Sequence, residues 1–275
     1  MLSIIVPTNN RSDVVEDCLQ SVRWADEVIV VDSYSTDGTL DIARKYADRV
    51  LQHEYGFSAL QKNWAIPQAT HEWVMIVDTD ERVPASLRDE ICATLRASQP
   101  YVGYRIARVN MLLGKPLYHA GYYPDYQIRL FRRDSGRYDL RRVHAHIQLD
   151  GPCGTLRSPL VHYAHRSLDQ TIRNLLVLMT TWEAEQRTQQ AQRSNQRPTK
   201  GLALNLLLRP LGAFGLRYFR YGGWRDGYHG LVVSLLWAMY VAITYMKIWE
   251  RDLNLPERWW VDDWDKWQHD GHNAG

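Results

Sequence analysis

Two carboxylates follow an apolar run in residues 74–81, which read VMIVDTDE. Side chains two residues apart on an extended segment point to the same side, so Asp78 and Asp80 can converge on one ligand. Carboxylate oxygens are the ligands that Mg²⁺ and Mn²⁺ prefer, and such an ion would neutralise a diphosphate leaving group. A solvated acidic turn is the alternative interpretation, and it is the usual meaning of this pattern when nothing else accompanies it.

A second polar turn, residues 32–39 (DSYSTDGT), follows another apolar run. An acidic residue at the end of such a strand can accept a hydrogen bond from a base or a ribose, so Asp32 is a candidate for nucleotide recognition. Thr36 or Asp37 would cap the helix that follows. The first turn has no GxGxxG pattern and the chain has no Walker loop, which disfavours dinucleotide and P-loop chemistry.

The elements that position these turns alternate between short apolar strands and amphipathic helices. Strands are predicted over 4–6, 28–31 and 73–77, and helices over 14–23, 39–46 and 58–66. Continuous apolar runs indicate strands that are buried on both faces, and their alternation with helices implies parallel pairing through right-handed crossovers. We therefore expect a doubly wound α/β sheet in which three polar strand ends meet at one edge.

The pattern changes after about residue 101 to short alternating segments separated by Gly and Pro. They predict added strands, which make the sheet mixed, near 104–109, 127–132, 142–149 and 160–163. A helix is expected over 167–190 because apolar residues recur at helical spacing. The residues of its apolar face are Ile172, Leu175, Leu176, Met179 and Trp182.

Beyond that helix, residues 186–200 hold four basic and no acidic side chains and are predicted to be a solvated link. The chain is strongly apolar from 202 to 249, and the 17 residues of 230–246 carry no charge. About 20 residues usually cross a bilayer, so a helix lying in the interface or packed on other helices is an equal alternative to a span. Two parts are predicted: a catalytic domain over 1–165, and a helical, basic and aromatic, membrane-associating region over 166–275.

Composition excludes several functional classes. The 275 residues carry 33 basic and 31 acidic side chains, and this balance gives no support for nucleic-acid binding. The three cysteines have no paired spacing, which favours reduced thiols in the cytoplasm over a disulfide or zinc framework. Tyr and Trp, 16 and 11 residues, far outnumber the 4 Phe, and rings with a polar handle suit sugar platforms and membrane interfaces.

Three motifs together resemble family 2 glycosyltransferases of the GT-A fold: residues 4–10 (IIVPTNN), 30–39 (VVDSYSTDGT) and 78–81 (DTDE). Three further segments resemble the bacterial lipopolysaccharide core glucosyltransferase branch of that family. They are residues 61–64 (QKNW), 124–133 (PDYQIRLFRR) and 220–227 (RYGGWRDG). The resemblance spans nearly the whole chain and implies a Rossmann-like, doubly wound mixed sheet that binds a nucleotide sugar.

The resemblance also implies roles for individual residues. Asp32 would hydrogen-bond the uracil of a UDP-hexose, and Lys62 would approach its pyrophosphate or sugar. Asp78 with Asp80 would hold the donor and its Mg²⁺ or Mn²⁺. Further contacts in the donor pocket, or near the metal and the acceptor, are expected from Pro7, Thr8, Asn10, Gln127, Arg129 and Arg132. The two arginines alternate with apolar residues and are expected to share one strand face.

Inverting transfer requires a base beside the acceptor hydroxyl. Related sequences often carry Val-His-Glu where residues 143–146 here read VHAH, so the usual acidic candidate is absent. Asp125 is the first candidate for the catalytic base and His144 the second. His144 and His146 lie two apart and could bind a transition metal with His162, although a polar strand face is the more common meaning of such a pair.

These expectations describe a metal-dependent inverting glycosyltransferase that moves a hexose from a UDP-sugar to a glycolipid or lipopolysaccharide-core acceptor. The basic and aromatic C-terminal region favours a cytoplasmic protein held peripherally at the inner face of the plasma membrane, and its helices could also form a homo-oligomer. Two alternatives stay open. One is a polyprenyl-phosphate glycosyltransferase that makes a lipid-linked sugar donor, and the other is a non-catalytic membrane-docking protein that retains the fold.

Overall fold

The computed structural model describes residues 1–97, 100–141, 145–194 and 201–255. Backbone contacts divide the chain into two compact units, Met1–Ser167 and Leu168–Gly275. Every strand of the described residues lies in the first unit, and the second unit is helical.

A mixed sheet of ten strands forms the centre of the first unit, and two further strands pair separately. In chain order the strands are β1 (Leu2–Thr8), β2 (Glu27–Asp32), β3 (Arg49–Gln52), β4 (Trp73–Ile76), β5 (Glu81–Arg82), β6 (Gly103–Leu112), β7 (Lys115–Leu117), β8 (Asp125–Arg132), β9 (Gly136–Tyr138), β10 (Ile147–Leu149), β11 (Cys153–Thr155) and β12 (Leu160–His165). The sheet order is β3-β2-β1-β4-β8-β6-β12-β5, and β7 and β11 both pair with β6. The small second sheet is the antiparallel pair β9 and β10.

The direction of pairing changes beside β4. β1 pairs in parallel with β2 and β4, whereas β8 runs antiparallel to both β4 and β6. The carboxyl ends of β1, β2 and β4 therefore meet at one edge, and β6 and β8 bring a second set of side chains beside it. The expected doubly wound α/β sheet with added mixed strands is confirmed.

Four helices cover the sheet: α1 (Val15–Val22), α2 (Thr39–Tyr46), α3 (Ser58–Ala65) and α4 (Ala85–Arg96). The first three match the predicted helices, whereas α4 and the short strands β3, β5, β7, β9 and β11 were not predicted. Of the strand predicted over 142–149, residues 147–149 form β10, and 142–144 lie outside the described residues.

The sheet is apolar on both faces because helices pack on both. Along β1, Ile4 and Val6 belong to the core beneath α1, α2 and α4, whereas Ile5 belongs to the core beneath α3. All three side chains are fully buried. A strand buried on both faces reads as an unbroken apolar run, which is why the sequence at 4–6 is informative.

The second unit consists of helical segments in succession. They are α5 (Leu168–Thr171), wide π-type turns over Ile172–Met179, α6 (Thr180–Arg193), α7 (Leu202–Gly215), further π-type turns over Leu216–Arg220, a 3₁₀ turn over Gly223–Asp226, and α8 (Gly227–Asp252). Two predictions need correction. Helix α6 continues to Arg193, so the link predicted from 186 is largely helical, and residues 195–200 lie outside the described part. Of the apolar face predicted for 167–190, Leu176 is buried but Ile172 is exposed, since wide turns change the helical spacing.

A small core joins α6, α7 and α8 around Ala184, Tyr245 and Ile248. The opposite face of α7 is exposed and apolar, and it carries Leu204, Leu207, Leu208 and Leu211. Within the described residues one helical segment, Gly223–Asp252, is long and apolar enough to cross a membrane, and 33% of its most apolar stretch is buried in the protein.

Candidate active site

A cavity of about 300 Å³, here called the strand-end cavity, opens at the carboxyl ends of β1 and β4. Its lining includes Pro7, Thr8, Arg11, Lys62, Asp78 and Asp80. Open α/β sheets bind their ligands at this edge. The polar turns after β1 and β4 thus converge as predicted, whereas no residue of the third predicted turn, 32–39, lines this cavity.

A larger cavity of about 460 Å³, here called the basic cavity, lies beside it over β6 and β8. Its lining includes four cationic side chains, Lys62, Arg105, Arg108 and Arg129, and two tyrosines, Tyr126 and Tyr138. Ser58, Lys62 and Asp78 line both cavities. The two cavities therefore meet at Lys62 and Asp78.

Asp78 is held between two cations. Its Oδ1 lies 2.7 Å from Nζ of Lys62, and its Oδ2 lies 2.7 Å from a terminal nitrogen of Arg129. Burial alone would raise the pKa of this carboxyl, but the charges of Arg129 and Lys62 hold the pKa well below its usual range. Asp78 is thus an ionised group of fixed orientation.

The QKNW segment explains how Lys62 reaches that position. Gln61 donates hydrogen bonds to the Val31 carbonyl oxygen and to Ser33 Oγ, which ties α3 to the end of β2. Asn63 exchanges two hydrogen bonds of 2.8 Å with the backbone of Tyr138. Lys62 is fixed between these two anchors and is 7% exposed. Burial alone would lower the pKa of Lys62, but the charge of Asp78 outweighs it and raises the pKa.

Glu81 continues the chain of charges away from Asp78. It is fully buried, and its Oε1 lies 2.5 Å from Arg129 and 3.4 Å from Arg108. Its Oε2 accepts a hydrogen bond of 3.0 Å from the backbone N–H of Asp78. A buried carboxylate is stable only when it is paired and hydrogen-bonded, and Glu81 satisfies both conditions.

Asp125 ends this chain of charges. Arg108 donates to its Oδ2 through two nitrogens, at 2.6 and 2.9 Å, and Gln127 donates to its Oδ1 at 3.0 Å. Burial alone would raise the pKa of Asp125, but the charge of Arg108 and the hydrogen bonds lower it. The ion pairs run from Lys62 through Asp78, Arg129, Glu81 and Arg108 to Asp125, a set of six residues that we call the charge ladder.

Asp80 lies apart from the charge ladder and faces His162. The distance from its Oδ1 to His162 Nε2 is 3.7 Å. Nδ1 of His162 lies 2.6 Å from Asn110 Oδ1, so a proton held on Nδ1 leaves the Nε2 lone pair directed at the cavity. Burial alone would raise the pKa of Asp80, and His162 lowers it.

These two side chains suit a divalent cation better than the expected pair of aspartates. Both oxygens of Asp78 pair with cations, Lys62 and Arg129, which would repel a divalent ion. Asp80 lines the cavity beside the His162 ring, and among the described residues no Lys or Arg lies at ion-pair distance from it. Among the described residues no group of three His, Cys, Asp or Glu side chains could enclose an ion. Mg²⁺ sites of nucleotide enzymes commonly use one or two protein ligands and take the others from phosphates and water, so Asp80 and His162 fit.

The predicted nucleotide residues differ in their placement. Pro7 and Thr8 line the strand-end cavity, but Asn10 does not, since its Oδ1 accepts from the backbone N–H of Thr36 across a turn. Asp32 is fully buried and accepts hydrogen bonds from Ser35 and, at 3.4 Å, from Gln52. Its predicted role at the uracil stays a prediction.

Of the site residues predicted in segment 124–133, two line a cavity and one does not. Gln127 and Arg129 line the basic cavity, as expected of residues near the acceptor. Arg132 does not share their face, because three residues along a strand reverse the direction of the side chain. It pairs with Glu72 and lies 5.1 Å from the centre of the Trp73 ring, at the opposite end of β4 from Asp78. The expectation that Arg129 and Arg132 share a face is wrong.

His144, the second candidate base, lies outside the described residues, as does Val143. Its neighbours Ala145 and His146 line the basic cavity. His146 and His162 line different cavities, so the described part of the chain gives the proposed three-histidine zinc site no support.

Several residues of the site were not predicted from the sequence: Glu81, Arg105, Arg108 and Tyr138. Glu81 directly follows the Asp-Thr-Asp motif. An acidic residue in that place, directly after a predicted buried strand and its turn, is the signal that could have identified it. Arg105 and Arg108 lie on β6, whose pairing with β8 no local pattern reveals.

Comparison with known proteins identifies the class that this fold and site define. The chain matches the family "Glycosyl transferase family 2" over residues 3–160, more than half of its length. It is 32% identical over 274 residues to the lipopolysaccharide core biosynthesis glycosyltransferase LpsC of Rhizobium meliloti, and the match covers 95% of this chain and 96% of that protein. The protein belongs to glycosyltransferase family 2, and the expected GT-A fold is confirmed.

Two other similar proteins differ in how much of their sequence they share with this chain. An uncharacterized glycosyltransferase of Rickettsia prowazekii, RP128, is 28% identical over 94% of this chain and 89% of its own length. The mannosyltransferase PcManGT of Pyrobaculum calidifontis, solved in complex with GDP-Man and Mn²⁺, is 17% identical with a TM-score of 0.48, over 90% of this chain and 86% of that chain. As a glycosyltransferase, the protein uses a nucleotide-sugar donor and a saccharide acceptor as its general substrate classes.

The charge ladder makes a prediction about stability. The Glu81→Gln variant removes the buried charge between Arg108 and Arg129, which then keep only Asp125 and Asp78 as partners, and breaking such a buried set of ion pairs costs about 3 kcal/mol. We expect the free energy of unfolding, measured by urea denaturation, to fall by about that amount. Glu72→Gln is the matched control, because its partner Arg132 lies at the surface, where such pairs contribute about 0.5 kcal/mol. Equal, small losses in both variants would show that Glu81 does not stabilise the site.

Proposed function

We propose that this family 2 glycosyltransferase transfers a hexose from a UDP-sugar to a glycolipid acceptor of the lipopolysaccharide-core type, with inversion at the anomeric carbon. The observation that carries the proposal is the junction of the two cavities at Lys62 and Asp78. A donor in the strand-end cavity and an acceptor in the basic cavity would be adjacent there. The relation to LpsC over nearly the whole length of both chains supports the acceptor class.

The donor would lie along the carboxyl edge of β1 and β4. Pro7 and Thr8 line the wall expected to face the nucleotide, and Arg11 lines the same cavity. Lys62 would contribute positive charge beside the diphosphate as the sugar departs. Asp78, oriented by Lys62 and Arg129, would accept a hydrogen bond from a sugar hydroxyl and so fix the sugar at the junction.

Asp80 and His162 are the residues that would hold Mg²⁺ or Mn²⁺. When bound, the ion would neutralise the negative charge of the departing nucleoside diphosphate. The two side chains come from different elements, since Asp80 follows β4 and His162 lies on β12. The pairing of β12 with β6 and the hydrogen bond to Asn110 hold the imidazole towards Asp80.

Asp125 would act as the base for the acceptor hydroxyl. An Asp carboxyl is ionised at neutral pH and can accept a proton when the oxygen attacks the anomeric carbon, while the charge of Arg108, which lowers the pKa of Asp125, makes it a weaker base than a free carboxylate. Arg108 and Gln127 hold its two oxygens and would set their direction. Attack from the basic cavity, on the side of the sugar away from the diphosphate, would invert the anomeric configuration.

The second unit supports an acceptor that is anchored in a membrane. Helix α7 exposes four leucines on one face, which is unusual for a helix in contact with water only. Arg217, Arg220 and Arg225 follow it among aromatic rings, and each basic residue near an anionic leaflet contributes about 1 kcal/mol. We therefore propose peripheral attachment at the inner face of the plasma membrane. A face of this kind could instead join two copies of the chain.

Donor hydrolysis without acceptor tests the catalytic proposal. We expect Asp80→Ala to lower the Mn²⁺-dependent release of UDP from UDP-hexose by about a hundredfold or more, because the diphosphate loses its held ion. Asp89→Ala is the control, since Asp89 is exposed on α4 and its ion-pair partner among the described residues is the neighbouring Arg88. Equal rates in wild type and Asp80→Ala would contradict the catalytic proposal and favour a non-catalytic docking protein. In the same assay with acceptors, transfer to polyprenyl phosphate but not to core glycolipid would favour the polyprenyl-phosphate alternative.

Vesicle binding tests the membrane proposal. The double variant Leu208→Glu, Leu211→Glu places charges on the exposed face of α7, and we expect at least tenfold weaker sedimentation with anionic phospholipid vesicles. Leu140→Glu is the matched control, since Leu140 is equally exposed but lies in the first unit. Unchanged binding of the double variant, or an equal loss in the control, would contradict attachment through α7.

A further inference from the structure

The basic cavity has more positive charge than its own carboxylates balance. Lys62 and Arg129 pair with Asp78, Arg129 and Arg108 pair with Glu81, and Arg108 pairs with Asp125. Arg105 is the fourth cation of the lining, and within the described ranges no carboxylate lies at ion-pair distance from it. The other three cations of the lining pair with Asp78, Glu81 or Asp125, whereas Arg105, an exposed residue at the cavity wall, has no such partner among the described residues.

The guanidinium of Arg105 is nevertheless held in a defined position. Its carbon lies 4.9 Å from the centre of the Tyr126 ring, and its Nε donates a 2.7 Å hydrogen bond to Thr155 Oγ1. The backbone position is fixed by pairing with Ile128 on β8 and Thr155 on β11. The Tyr126 ring on one side and the Thr155 hydroxyl at Nε orient the plane of the guanidinium. Both terminal nitrogens stay available, since no described residue accepts a hydrogen bond from them.

An oriented guanidinium with two free N–H edges is suited to bind a phosphate or a carboxylate through paired hydrogen bonds. The donor is not the source of that anion in the proposed arrangement, because Arg105 lines the basic cavity only, whereas the strand-end cavity has Arg11 and Lys62 for the diphosphate. Tyr126 and Tyr138 offer rings against which a sugar can pack in the same cavity.

We infer that Arg105 and Tyr126 form a subsite for an anionic group, a phosphate or a carboxylate, carried by the saccharide acceptor near the hydroxyl that receives the hexose. This inference rests on the proposed function and adds to it the chemical class of the acceptor. It makes Arg105 a specificity-determining residue, because an anionic acceptor gains paired hydrogen bonds with the guanidinium that a neutral acceptor lacks.

The test uses purified lipopolysaccharide-core glycolipid in three forms: intact, dephosphorylated, and with its carboxylates converted to amides. We expect one of the two treatments to raise KM of the wild type about tenfold or more, which identifies the anion. Arg105→Gln should show the same rise in KM with the intact acceptor and no further change after that treatment. Arg105→Lys should recover part of the loss, because it retains the charge without the planar pair of donors.

Two controls separate this inference from the proposed function. The Kd of UDP-hexose with Mn²⁺, measured by titration calorimetry without acceptor, should be the same in wild type and Arg105→Gln, since the proposed donor site is the strand-end cavity, which Arg105 does not line. Arg23→Gln is the matched variant, because Arg23 also lies over a tyrosine ring, that of Tyr46, but outside both cavities. It should leave KM for all three acceptors unchanged.

The failures are distinct. If the wild type is active with the same KM for all three acceptors, and Arg105→Gln has that KM too, the anionic subsite is overturned. The glycosyltransferase proposal would then stay intact. Absence of donor hydrolysis and of transfer would overturn the proposed function itself. Titration calorimetry of the intact acceptor without donor tests the subsite separately. Equal affinity in wild type and Arg105→Gln would overturn the subsite, and a tenfold lower affinity in Arg105→Gln would support it.

Discussion

The ion pairs of Asp78 with Lys62 and Arg129 are the interaction on which the rest of the site depends. They occupy the point where the two cavities meet, and each partner comes from a different element: α3, the turn after β4, and β8. Because these charges are buried, each must be satisfied by another, and the chain of pairs extends through Glu81 to Asp125. The candidate donor and acceptor residues are thereby fixed relative to one another by a single electrostatic network.

The sheet topology makes this network possible. The parallel strands β1, β2 and β4 bring their polar turns to one edge, and the antiparallel strand β8 carries Gln127 and Arg129 into the space beside it. Asp125 lies on the same strand and reaches the site through its contacts with Arg108 and Gln127. A cross-strand pair between β6 and β8 sets Arg108 opposite Asp125. The reversal from parallel to antiparallel pairing at β4 thus creates the basic cavity next to the strand-end cavity.

Local sequence predicted the parts of the fold that local physics determines. The doubly buried strands at 4–6, 28–31 and 73–77 read as apolar runs, and the polar turns after the first and the third put Thr8 and Asp78 beside the strand-end cavity. Lys62, on α3, was expected only from the resemblance to the family. Arg108 and Glu81 were missed because their importance arises from pairing between distant strands, which no periodicity encodes. The prediction that Arg132 shares a strand face with Arg129 was wrong, because the two residues are three positions apart and successive side chains on a strand point to opposite faces. The ion pairs that take both oxygens of Asp78 likewise depend on α3 and β8 meeting in three dimensions.

The most direct test of the proposed arrangement is a crystal structure of the protein with an intact UDP-hexose and Mn²⁺. The hexose should lie at the junction, in contact with Lys62 and Asp78, with the uracil beside Pro7 and Thr8 and the ion between the diphosphate and Asp80. The anomeric carbon should face the basic cavity, with Asp125 on that side. A hexose bound away from Lys62 and Asp78, or directed out of the basic cavity, would contradict the arrangement.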